Sequence, residues 1–120
     1  MNELQMKQRT KDFAKEIIKL CRELPADREG RLIGNQLFRS GTSVAANYRA
    51  TCRAKSKADF ISKLAIVEEE ADETLFWMEL LNEMNIYRSN VLEKLMLENN
   101  ELLAIIVASI KTSRNRREGF

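Results

Sequence analysis

The chain has 120 residues, 44% hydrophobic and 32% charged, with a formal net charge of +2. That composition excludes both a disordered chain and a membrane-embedded one, and the length fits one domain over 1–120. With only 4 glycines and 1 proline, turn material is too scarce for an all-β sandwich or barrel.

Hydrophobic periodicity predicts four helices. The first spans roughly 8–24, where Phe13, Ile17, Leu20, Cys21 and Leu24 form one stripe and Pro25 ends the helix. The second spans roughly 28–53. Its stripe is Ile33, Leu37, Ser40, Val44 and Tyr48, and small residues crowd its centre around Gly41. A glycine there costs about 1 kcal/mol relative to alanine, so close approach of another backbone is expected. The third spans roughly 57–85, capped by Ser56 with Asp59 three residues on. Phe60, Leu64, Val67, Ala71, Thr74, Met78 and Leu81 keep 4-3 spacing, and Trp77, Leu80 and Met84 add a second stripe. Trp77 and Leu80 are therefore expected at an oligomer interface. The fourth spans roughly 91–114, with Asn90 and Glu93 as an expected capping box and Leu92, Leu95, Leu102, Ile106 and Ile110 as its stripe, interrupted by Asn99. A basic tail, 115–120, follows. Short connections between long helices predict an all-α, up-down-up-down antiparallel four-helix bundle. Phe60, Leu64, Val67 and Met78 are expected to be buried against Leu37, Val44, Leu102 and Ile106.

Catalytic chemistry finds little material. There is no histidine, which removes the commonest general base and metal ligand. Bundle di-iron sites need Glu-x-x-His pairs, and Glu70 and Glu73 offer only the carboxylate half. Cys21 reads as a packing residue. Cys52 is flanked by Arg49 and Arg53, which are expected to lower its pKa, but no base is available to use it. No phosphate-binding glycine loop is present. The expectation is a non-enzyme without cofactor or metal. The longest apolar run is the seven residues Leu102–Ala108, against about 18 for a membrane span. Two cysteines and no secretory signal point to the cytoplasm.

Charge is distributed in blocks. Residues 28–57 carry seven Lys/Arg and one acid, residues 59–101 carry eleven acids and three bases, and the last segment is basic again. Arg49, Arg53, Lys55 and Lys57 surround the second turn, and Arg114, Arg116 and Arg117 form a tail cluster expected at the opposite end of the bundle. Both suit phosphate contacts, and neither is interleaved with aromatics for base stacking. Gln36, Arg39, Ser43 and Asn47 lie along one side of the second helix, and Glu70 and Glu73 along the third. They read as a structural polar network holding helices or subunits in register.

The runs Gln36-Leu-Phe-Arg39 to Ser43-Val44-Ala-Ala-Asn47, Ser56 to Leu64 and Glu70 to Trp77 give the chain a recognisable signature. It resembles the bacterial four-helix-bundle family of 23S rRNA intervening-sequence proteins, over roughly 8–112. Arg49 departs from that pattern, since many relatives have a Glu soon after the Asn. The family is related in fold to the accessory protein of diversity-generating retroelements, a pentameric ring that binds nucleic acid and a protein. The resemblance therefore implies a homopentamer with RNA or DNA as ligand. The alternative is a scaffold for another protein.

Overall fold

The computed structural model describes residues 1–116, so the expected contribution of Arg117 lies outside the described residues. Four helices follow in chain order: α1 Glu3–Glu23, α2 Arg28–Thr51, α3 Lys57–Glu83 and α4 Asn90–Asn115. Each packs on the next and α4 returns to α1, while the diagonal pairs stay apart, which is the up-down-up-down bundle the stripes predict.

Local chemistry fixes the helix ends. α1 begins five residues earlier than its apolar stripe suggests. Asn2 Oδ1 accepts from Gln5 N at 2.8 Å and Gln5 Oε1 accepts from Asn2 N at 3.1 Å, a reciprocal capping box. Asp27 caps α2 and Ser56 caps α3, each through the amide three residues on. α4 is capped by Ser89, whose Oγ accepts from Leu92 N at 3.1 Å, and Asn90 is the first helical residue rather than the cap. α3 stops where Asn85 turns left-handed at φ 56°, with Ile86 N donating to Leu81 O and Asn85 N to Asn82 O. Those two bonds close a Schellman motif, in which Asn is the usual substitute for Gly.

The interior is one cluster drawn from all four helices. Leu37, Val44, Leu64, Val67, Met78, Leu102 and Ile106 are all buried in it. Phe60 is the exception among the expected core residues: one turn inside α3, it is only partly buried where the bundle ends. Gly41 is tight for a different reason than expected. A Cβ there would meet the side chain of Ile17 on α1 at 2.8 Å, so a side chain and not a backbone fills the space. Polar residues also enter the core. Ser40 and Thr74 join across α2 and α3 by an Oγ–Oγ hydrogen bond of 3.0 Å. Asn99, which breaks the α4 stripe, is fully buried and donates to Ala71 O at 2.9 Å, leaving its Oδ1 without a partner among the described residues.

Candidate nucleic-acid interface

An even number of antiparallel helices decides where the basic residues gather. α2 ends, α3 begins, α1 begins and α4 ends at the same end of the bundle. Lys57 Nζ donates to the carbonyl of Arg116, and Cys52 lies beside Glu3. The two basic clusters expected at opposite ends are thus one. Arg49, Arg53, Lys55, Lys57, Arg114 and Arg116 share it. The α2 C-terminus and the following turn hold Arg53 and Lys55 there, through Arg53 N to Ala50 O and Ala54 N to Thr51 O.

The same end contains two lysines that block-wise charge counting overlooked. A groove of about 490 Å³ runs between α1 and α2, walled by Lys7 and Lys11 on one side and Arg49 and Arg53 on the other. Among the described residues, none of Lys7, Lys11, Arg49, Arg53, Lys55 and Arg114 has a carboxylate within ion-pair distance. Other cations are committed. Arg9 forks onto Glu98 at 2.6 and 2.7 Å and reaches Glu101 at 2.7 Å, tying α1 to α4. Lys63 pairs with Asp59 at 2.7 Å, which, with the Lys55 amide, holds that carboxyl below its usual pKa. On the opposite side of the bundle, Glu68, Glu69 and Asp72 line an acidic groove between α3 and α4. The molecule is electrostatically two-faced.

The polar network is smaller than its spacing suggests. Arg39 bonds Gln36 within α2 and reaches Glu70 and Glu73 on α3, and Glu73 Oε2 also accepts from Trp77 Nε1 at 2.9 Å. Asn47 instead donates to the Ser43 carbonyl at 2.9 Å, inside its own helix. It sits two turns beyond Arg39, about 12 Å along the axis, and the Ser40–Thr74 register places it level with Val67, nearly one turn from Glu70 and nearly two from Glu73. Ser43 likewise makes no bond to α3 among the described residues. Arg39 is 48% exposed, so its ion pairs are worth little. Arg39→Ala is expected to cost under about 1 kcal/mol in urea unfolding. A larger loss would mean that the network is buried in an assembly.

Neither cysteine is activated. Burial pushes the Cys21 thiol up to about 11, and burial with the neighbouring Glu3 carboxylate raises Cys52 as well. The flanking arginines, expected to lower Cys52, line the α1–α2 groove, and the cation that acts on the thiol is Lys7, outweighed by burial and Glu3. Both thiols should react slowly with iodoacetamide at neutral pH, since the thiolate is the nucleophile. The linkage has a definite sign. The unfolded chain sheds its Cys21 proton near 9 and the folded chain near 11, so stability falls as pH rises through that window. Unfolding midpoints measured across that range check it. Among the described residues no group of His, Cys, Asp and Glu could hold a metal ion, and no helix is long and apolar enough to cross a membrane.

The family model for 23S rRNA-intervening sequence proteins matches residues 2–108. The chain belongs to that family. The crystal structure of a protein of unknown function from the S23 ribosomal protein family of Bacteroides thetaiotaomicron VPI-5482 is similar, with TM-score 0.84 and 33% identity over 92% of this chain and 99% of that one. No curated protein sequence matches. In this intervening-sequence protein the signature residue Arg39, held by Gln36 within α2, reaches Glu70 and Glu73, so that part of the signature joins α2 to α3.

Proposed function

We propose that this intervening-sequence protein is a cytoplasmic, non-enzymatic homo-oligomer that binds RNA or DNA through phosphate contacts at its basic end. The observation that carries the reading is the convergence of unpaired Arg49, Arg53, Lys55 and Arg114 on one end, with the acidic face turned away. Cations without carboxylate partners release nucleic-acid counterions at little internal cost, and the acidic side repels the ligand and so orients it. A homopentamer fits the exposed apolar residues of the α2–α3 face. Leu32 on α2 is 57% and Met84 on α3 66% exposed, and Trp77 and Leu80 of α3 are only partly buried. Several copies would present several basic ends, and weak contacts would add by avidity.

A gel shift with total RNA at two salt concentrations tests the reading. Arg53→Ala, Lys55→Ala and Arg114→Ala together should weaken binding and flatten its salt dependence by about 1 for each phosphate no longer neutralised. Unchanged affinity and slope would refute the assignment. A pull-down from nuclease-treated lysate separates the scaffold reading, which predicts a protein partner that survives the nuclease.

A further inference from the structure

The α1–α2 groove has an architecture that the basic end as a whole does not. Its four cations stand in two facing rows, Lys7 and Lys11 on α1, Arg49 and Arg53 on α2. Each row is an i, i+4 pair, about 6 Å along its helix. The rows are also staggered. Gly41 packs on Ile17, and from that register Lys7 is level with Thr51 and Lys11 with Asn47. Passing along the groove from the basic end, the charges come in the order Arg53, Lys7, Arg49, Lys11, alternating between walls at intervals of about 3 Å. Phosphates rise about 3.4 Å each along the axis of a duplex. Along the strand itself successive phosphates are six bonds apart, close to the roughly 6 Å spacing of each row, so each phosphate meets one cation from either wall. Beyond Lys11 the α2 wall continues in the small side chains of Thr42, Ala45 and Ala46, and Leu4 and Gln8 complete the α1 wall, so no aromatic platform for a base lines the groove. The rows belong to helices that pack directly on each other, with axes about 8–10 Å apart, so both converge on one line of phosphates.

We infer that this groove is a cradle for the sugar–phosphate backbone of one single nucleic-acid strand, gripped by Lys7, Arg49, Lys11 and Arg53 in alternation with the bases turned outward. The inference rests on the nucleic-acid reading above and adds to it the class of ligand, the path of the strand and two lysines of α1. Binding through this groove is indifferent to base identity.

Fluorescence anisotropy of the full chain with a labelled oligothymidylate, alongside a duplex of the same length, tests it. In the variant carrying Lys7→Gln, Lys11→Gln and Arg49→Gln, affinity should fall about tenfold. The slope of log affinity against log salt should flatten by about 1, at roughly 0.7 for each phosphate of a single strand that the four cations face. A charge-matched variant at the other end, Arg22→Gln, Arg28→Gln and Lys94→Gln, should bind like the wild type. Circular dichroism verifies the fold, and Arg49→Glu, at an exposed position, repeats the test should the triple variant unfold. Wild-type affinity and slope in the groove variants would overturn the cradle and leave the basic end standing. Tighter wild-type binding of the duplex would overturn the single-strand assignment. A wild-type chain that binds neither probe would overturn both readings.

Discussion

Replacing Leu64 with Ala is expected to cost about 2–5 kcal/mol of unfolding free energy. Leu64 lies on the central stripe of α3 and is 1% exposed, within a core cluster that all four helices build. Truncation removes the transfer energy of three carbons. It also leaves a cavity, because helices pinned at both ends by caps and short turns relax little toward the gap. In a domain of this size each kcal/mol lowers the melting midpoint by roughly 4 °C. Thermal and urea unfolding by circular dichroism at fixed protein concentration read the loss, since the proposed assembly would make the midpoint concentration-dependent. A cost below about 0.5 kcal/mol, the range of surface substitutions, would contradict the packing.

Gly30→Ala should be destabilising by about 2–4 kcal/mol, although alanine is ordinarily the better helix former by about 1 kcal/mol. Gly30 is the third residue of α2. A Cβ there would lie 2.0 Å from the Pro25 carbonyl oxygen and 2.9 Å from its carbon, both backbone atoms of the α1–α2 turn. That turn cannot yield without disturbing Asp27, whose carboxylate caps α2 by accepting from Gly30 N at 2.8 Å. The clash and the weakened cap together outweigh the propensity gain. Unfolding by urea measures it, and a variant as stable as the wild type would show that the turn is looser than this geometry.

Periodicity made most of the fold legible, because a buried stripe at 3.6-residue spacing leaves a direct trace in the sequence. The start of α1 escaped because its first two turns bury only Met6 and Thr10, a threonine that reads as polar. The Asn2–Gln5 capping box was the signal that could have placed it. Inter-helix register was less visible. Spacing along α2 aligns Asn47 with Arg39, but the Ser40–Thr74 contact puts the two opposite different turns of α3. The basic site was half legible. Arg49, Arg53 and Lys55 stand out in a segment with one acid, whereas Lys7 and Lys11 lie where six bases and five acids nearly cancel. Arg9 of that segment is taken up by Glu98 and Glu101, and folding leaves the two lysines unpaired beside α2.

The most direct test of a nucleic-acid-binding oligomer is size-exclusion chromatography with light scattering and absorbance at two ultraviolet wavelengths, on protein purified at low salt without nuclease. The expected result is a particle of pentameric protein mass with excess nucleic-acid absorbance, removed by a high-salt wash. A monomer with the absorbance of protein alone would contradict it.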